Sequence, residues 1–470
     1  MNNKYNFKRS FYYEVEKAIK DSSISFILGT RKCGKTVCMH QLEDSLDNAV
    51  YLDMKSEFDT DEKHRNAVNG ILKNIANNDS IVYLIDEATY MATPDKDIAK
   101  IAGAFSKYDN QNTKVVFSGS QSKALEFWGH IACGGNAEFI KTSFLSYPEW
   151  LAFKGITEVS EKTYADFLFN GKDFYKDFNN TKEYLQGCLD ETIISNRKSV
   201  EYIMGNGTEY LNVEMLLDIM YASLVKLHNH ADYQRFSNSK LLSDMIAYHF
   251  GDSLTKDEEK RVFEIIGGSY KNFKAMNSYD CKTAMQFLSN CGLTTLTYVS
   301  NELSADPYIT EKLLKNSSKL HTKPHIFSRF NLTIDYPMFY VDLIQNVLKD
   351  RQISELSKDL LGSIVECHVR SLLPKIGSFE YRSDTGTEID YVSNKGYGIE
   401  ISVSNKRMRT INLNELPDDY KKILLTKDMT EEIDGIQCIP YYQFIYDNSV
   451  GKELVEQLIQ KEKLKGGIFK

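Results

Sequence analysis

At 470 residues the chain exceeds one ordinary core, and roughly 150 residues per domain predicts about three folded units. Hydrophobic residues at 42% and charged residues at 26% sit near the average for globular proteins, which excludes a disordered or fibrous chain. The formal net charge of −8 excludes a surface built throughout for polyanions, although a local basic groove remains compatible with it.

The eight cysteines (33, 38, 133, 188, 281, 291, 367 and 438) form no Cys-x-x-Cys pair. That spacing argues against zinc ribbons and a disulfide framework and predicts a reducing cytoplasm. The opening MNNKYNFKRSFYYEVEKAIK has no apolar run between basic residues and a cleavage site, and no stretch reaches about 18 consecutive apolar residues, so no membrane partner is expected.

The apolar run Ile24-Ser25-Phe26-Ile27-Leu28 leads directly into Gly29-Thr30-Arg31-Lys32-Cys33-Gly34-Lys35-Thr36, the glycine-four residues-glycine-lysine-threonine pattern of a phosphate-binding loop. Gly29 and Gly34 let successive amide hydrogens converge on phosphates, Lys35 brings charge to the outer oxygens, and Thr36 offers a hydroxyl to magnesium. From Val37 through Leu46, Met39, Leu42 and Leu46 recur at helical spacing, so a helix N-terminus points at the anion site. Gly29 to Val37 is the expected nucleotide-binding segment, with ATP and Mg2+ as ligands.

Further on, Ile81-Val82-Tyr83-Leu84-Ile85-Asp86-Glu87 reads as a buried strand ending in two carboxylates. Asp86 is expected to hold the magnesium through water and Glu87 to polarise the attacking water. Ala49-Val50-Tyr51-Leu52-Asp53 and Lys114-Val115-Val116-Phe117-Ser118-Gly119-Ser120 supply two more strands of a parallel sheet.

The order of these segments, followed by Ser143-Phe144-Leu145-Ser146-Tyr147-Pro148-Glu149-Trp150-Leu151, resembles a broad prokaryotic family. Its members join an N-terminal AAA-type ATPase to a winged-helix segment and a C-terminal domain similar to restriction endonucleases. The resemblance implies that Ser120, with Ser118 as the alternative, senses the terminal phosphate; capping of the following helix is the competing explanation for both serines. The family usually has a glycine-arginine pair shortly before the leucine-serine block. This chain has Gly134-Gly135-Asn136 there, so no arginine finger is carried over.

Residues 151–350 read as helical, with patterned segments such as Val213 to Tyr221 and Lys240 to Ile246. A helix from Tyr279 to Ser289, the turn Cys291-Gly292-Leu293 and the strand-like Thr294 to Val299 have the order of a winged helix. The helix carries Lys282 as its one cation, which favours protein packing over DNA contact. His228-Asn229-His230 is expected to be surface.

Residues 351–470 change texture. A helix from Leu361 to Leu373 carrying Glu366 precedes three short strands, Phe379 to Arg382, Thr387 to Val392 and Tyr397 to Val403, with Lys421 to Thr426 and Gly435 to Pro440 after them. The family resemblance implies a restriction-endonuclease-like site here. Asp390 and Glu400 would hold Mg2+ to activate water against a phosphodiester, with Glu366 and Glu388 as secondary candidates. Ser402 stands where such sites place a lysine, and Lys406 is the nearest substitute.

The sequence therefore predicts an α/β protein in three parts: an AAA-like P-loop ATPase with a parallel sheet over 1–150, a helical and winged-helix region over 151–350, and a restriction-endonuclease-like α/β domain over 351–470. Lys35, Glu87 and Ser120 are the expected catalytic residues. The further partner is DNA, RNA or a protein, and a C-terminal domain that cuts nucleic acid stands beside a catalytically dead one. A scaffold that holds ATP without hydrolysing it is the third alternative.

Overall fold

The computed structural model describes residues 6–56, 60–175, 178–194, 210–224, 250, 254–303, 330–349, 357–375, 377–383, 386–405 and 410–467. Lys240 to Ile246, His228 to His230 and Lys406 lie outside them. The chain divides into two compact units. The first comprises residues 1–157, 187–208 and 450–470, and the second residues 158–186 and 209–449.

In the first unit, helix α1 (Ser10–Asp21) is followed by β1 (Ile24–Gly29), α2 (Lys35–Ser45), β2 (Ala49–Asp53), α3 (Asp61–Asn77) and β3 (Val82–Asp86). Then come α4 (Pro94–Tyr108), β4 (Lys114–Ser118), α5 (Ser122–Cys133), β5 (Glu138–Thr142) and α6 (Tyr147–Lys154). The five strands form one sheet in the order β2-β3-β4-β1-β5, and every pairing is parallel. The three central strands are almost wholly buried because both faces are covered, which is why they read as continuous apolar runs. On one face Phe11, Tyr12, Val15 and Ile19 of α1 pack with Met39, Leu42, Leu84 and Val116. On the other, Phe26 stacks between Phe117 at 5.1 Å and Phe139 at 5.0 Å. A Cβ at Gly129 would lie 2.8 Å from the Phe139 ring, so α5 approaches these rings only through a glycine.

The rest of the helices and strands begin with α7 (Glu161–Asn170), α8 (Thr181–Ile194), α9 (Val213–Leu224), α10 (Lys256–Val262), α11 (Gly268–Ala275) and α12 (Ser278–Asn290). There follow β6 (Thr294–Ser300), β7 (Phe330–Ile334), α13 (Pro337–Leu348), α14 (Lys358–Leu372), β8 (Ser378–Arg382), β9 (Glu388–Ser393) and β10 (Tyr397–Ile401). The order closes with α15 (Thr410–Leu413), β11 (Lys421–Thr426), β12 (Glu432–Ile433), β13 (Ile436–Pro440), α16 (Tyr441–Asn448) and α17 (Lys452–Gly467). Of these, α17 belongs to the first unit and packs on α6.

The second unit holds an eight-stranded sheet in the order β12-β13-β11-β10-β9-β8-β6-β7. Strands β8, β9 and β10 are consecutive antiparallel neighbours, and β10, β11 and β13 are parallel. The strand expected as a wing, β6, lies inside this sheet, antiparallel to β7 on one side and parallel to β8 on the other. The sheet therefore draws strands from both sides of position 350.

Candidate nucleotide site

The loop between β1 and α2 occupies the C-terminal edge of the parallel sheet, where β1, β3 and β4 all end. Gly29 permits this course, since a Cβ there would sit 2.4 Å from the Thr142 carbonyl oxygen. Lys32 and Gly34 both have positive φ, 59° and 96°, which bends the loop sharply between β1 and α2. Lys35 is buried, and its Nζ donates to the carbonyls of Gly29 at 2.9 Å and Thr30 at 2.8 Å. The buried Thr30 hydroxyl finds no hydrogen-bond partner, a polar atom suited to an incoming oxyanion. Cys33 is buried beneath the loop, and Val37 lies in the first turn of α2.

Strand order brings the second half of the site to the same place. The Thr36 hydroxyl donates to Asp86 Oδ2 at 2.6 Å, and Tyr51 from the neighbouring strand donates to the same oxygen at 3.2 Å. A hydroxyl and a carboxylate in contact form the hard-oxygen pair that suits magnesium. Glu87, just past the end of β3, has φ 48° and ψ 42°, a strained left-handed backbone for a non-glycine residue. Its Oε2 accepts from the Ser120 amide at 3.1 Å and from the Ser120 hydroxyl at 2.9 Å. Burial, followed by the charges of Glu191 and Asp86, lifts the Glu87 carboxyl above the usual range, while Ser120 and Lys35 pull it back. Ser118 is fully buried and its hydroxyl has no hydrogen-bond partner. Neither serine caps α5, whose N-cap is Gln121 with no side-chain bond.

Three features of this site were not read from the sequence. Arg9 is buried against Glu149 in a 2.6 Å ion pair and donates to the carbonyls of Cys33 at 2.7 Å, Ser143 at 2.8 Å and Phe144 at 3.2 Å, so it fixes the underside of the loop. Ser122 bridges the amide and the carbonyl of Gly29. Glu191, from the part of α8 assigned to the first unit, pairs with Arg31 at 2.9 Å and with Lys55 at 3.4 Å. No sequence motif marks these groups, because each meets the loop only through the tertiary fold. Gly134 and Gly135 form a left-handed pair ending α5.

The C-terminal candidates form a separate group in the second unit. Continuing the β9–β10 register sets Glu400 opposite Asp390, and both are buried. Asp390 Oδ2 accepts from the Ile401 amide at 2.7 Å, and Asn412 donates to Glu400 Oε1 at 3.4 Å. Glu366 on α14 is ion-paired at 2.8 Å to Arg370, whose guanidinium also contacts Glu380 of β8 at 2.7 Å. Arg382 joins Glu380 at 2.6 Å and Glu388 at 3.0 Å. Two arginines are thus interleaved with these acids, and the charge of Asp390 also reaches Arg370. Among the described residues no group of three or more His, Cys, Asp or Glu side chains is arranged to hold a metal ion. Ser402 is buried, with its hydroxyl 3.0 Å from that of Ser404.

A cavity of about 1510 Å³ in the second unit is lined by Lys162, Lys172, Lys349, Lys358 and Lys427, by neutral amides including Asn405, and by Glu161, Asp166 and Asp342. No helix among the described residues is long and apolar enough to cross a membrane.

Residues 21–151 match the family model described as an AAA domain. Comparison with curated proteins returned no match. Similar solved structures include AMPPCP-bound DnaA from Aquifex aeolicus, at 13% identity and a TM-score of 0.23, covering 60% of this chain and 83% of that one. A DNA replication initiation factor matches at 13% identity and a TM-score of 0.21, covering 67% and 91%. A STAND protein with a tetratricopeptide repeat sensor from Pyrococcus horikoshii matches at 12% identity and a TM-score of 0.21, covering 76% and 55%. Sheet order, loop and family match agree that the N-terminal α/β part of this chain contains an AAA-type P-loop domain.

Proposed function

We propose that the first unit binds and hydrolyses ATP with magnesium. The observation that carries this reading is the meeting of the phosphate loop with both carboxylates at one sheet edge: Thr36 on Asp86, and Ser120 on Glu87. Lys35 and the loop amides would hold the phosphates, and Thr36 and Asp86 would hold the metal, which when bound supplies charge to the phosphate oxygens. Glu87 would accept a proton from the attacking water. Its raised affinity for protons suits a base, and Ser120 fixes its orientation and reports the state of the terminal phosphate.

Purified protein with magnesium and labelled ATP tests this directly. Lys35→Ala should abolish uptake, while Glu87→Gln should keep uptake and lower phosphate release by about 10²-fold or more. Equal phosphate release from Glu87→Gln and the wild type would remove Glu87 from the mechanism, leaving the reading in which ATP is held unhydrolysed.

For the second unit the reading is a nucleic-acid-associated, restriction-endonuclease-like fold, with the helices of residues 209–349 and strand β6 built into the same unit, whose affinity follows the nucleotide state. The helix α14, the antiparallel strands β8 to β10 and the parallel strand β11 support it. A specific observation favours the catalytically dead form. Arg370 already pairs with both Glu366 and Glu380 beside Asp390, and Ser402 stands where the lysine is expected.

A further inference from the structure

Arg31 is the third residue of the phosphate loop, and its side chain is held by residues beyond the matched AAA segment. Its Nε lies 2.9 Å from Glu191 Oε1, an oxygen that also accepts from Lys55 at 3.4 Å. One helical turn earlier, a Cβ at Gly187 would lie 2.1 Å from Arg31 Nη1, so only the missing side chain makes room for the guanidinium. The next residue, Thr192, accepts from Gln121 Nε2 at 3.2 Å, tying the same turn of α8 to the start of α5. Glu191 also stands close enough to Glu87 for its charge to act on that carboxyl. The carboxylate holding Arg31 is therefore beside the group expected to direct water at the terminal phosphate.

Resting on the ATP reading above, we infer that Arg31 reads the terminal phosphate of the nucleotide, with Glu191 as its resting counter-ion. A guanidinium on the loop itself supplies in cis the positive charge that phosphoryl transfer uses. Carboxylate and phosphate each offer a pair of oxygens to the planar fork of the guanidinium, so a triphosphate competes with Glu191 for Arg31. Lys55 stays as partner to the carboxylate when the arginine transfers. A diphosphate lacks the oxygens that compete.

The test compares affinities for ADP and for an ATP analogue with a non-hydrolysable β–γ linkage, both with magnesium, in the full chain. Arg31→Ala should lower the analogue-to-ADP preference by about ten-fold, and Glu191→Gln should raise analogue affinity several-fold with ADP affinity unchanged. Arg31→Lys should recover part of the preference. Opposite signs from the two sites cannot come from a merely structural pair, whose loss would weaken both nucleotides in both variants. The inference is overturned if Arg31→Ala changes both affinities by one factor, or if Glu191→Gln weakens the analogue. Should wild type bind neither nucleotide, or Lys35→Ala bind as wild type does, the ATP reading falls as well. Thermal unfolding without nucleotide shows that each variant is folded.

Discussion

Arg9 and Glu149 place a buried ion pair directly beneath the phosphate loop, and Glu149 is fully enclosed. Burial pushes the Glu149 carboxyl up, but the Arg9 guanidinium and hydrogen bonds from Ser146 and Ser10 outweigh it and hold the group below the usual range. Because the folded affinity for protons is lowered, this contribution is complete above about 4.5, the unfolded value, and is lost as pH falls through the depressed folded one. Glu149→Ala strands the arginine and is expected to cost about 3–5 kcal/mol, whereas Arg9→Met with Glu149→Leu should cost less. Urea midpoints of the three proteins check this, and a double variant weaker than Glu149→Ala would contradict it. The pair also shows where sequence reading stops. Glu149 stands within the leucine-serine block and could be noticed there, yet its partner lies 140 residues away, and no local spacing announces such a distance.

At the level of elements, legibility followed the apolar run more than burial itself: β2, with no fully buried residue, was read as readily as the buried strands. Strands β1, β3 and β4 are buried along nearly their whole length, so their apolar runs were plain in the sequence. Strand β5, an edge strand in which only Ile140 is buried, and β7, within a region read as helical, gave no comparable run. The helix α14 was legible by its spacing, but its packing chemistry was not. His368 on α14 lies with Nδ1 2.9 Å from the Tyr164 hydroxyl of α7, and burial alone lowers its pKa from 6.5 to about 3. The imidazole is neutral in the native state, while the unfolded chain takes up a proton below about 6.5, so stability declines as pH falls from there toward about 3. His368→Gln, which can still accept from Tyr164, should lose less stability across that window than the wild type. Denaturant titrations at pH 7 and pH 4.5 measure the difference, and equal losses would show that His368 does not set the acid sensitivity.

Across the whole molecule the charge is negative, at −8, yet cations gather at one cavity of the second unit. There Lys172 is paired with Asp342 and Lys427 with Glu161, while Lys162, Lys349 and Lys358 make no ion pair among the described residues. Three such lysines, beside amides that can donate to phosphate or base, suit a single strand of nucleic acid against an otherwise repelling surface. Binding of this kind is expected to be weak and salt-sensitive. Three phosphate contacts on a single strand give a slope of log affinity against log salt of about −2, and each lysine replaced by alanine removes about 0.7 of it. Fluorescence anisotropy with single-stranded DNA and RNA oligonucleotides, at several salt concentrations and with ATP, ADP or no nucleotide, reads both the slope and its dependence on the first unit. Unchanged binding in Lys162→Ala, Lys349→Ala and Lys358→Ala would exclude this cavity. The same oligonucleotides incubated with magnesium address the acids of β9 and β10. Arginines interleaved among Glu366, Glu380 and Asp390 already supply the charge that a metal would bring, so binding is expected without cleavage. Cleavage that disappears in Asp390→Ala would instead establish a working nuclease and reassign Arg370 from structural counter-ion to a group that yields its place to the metal.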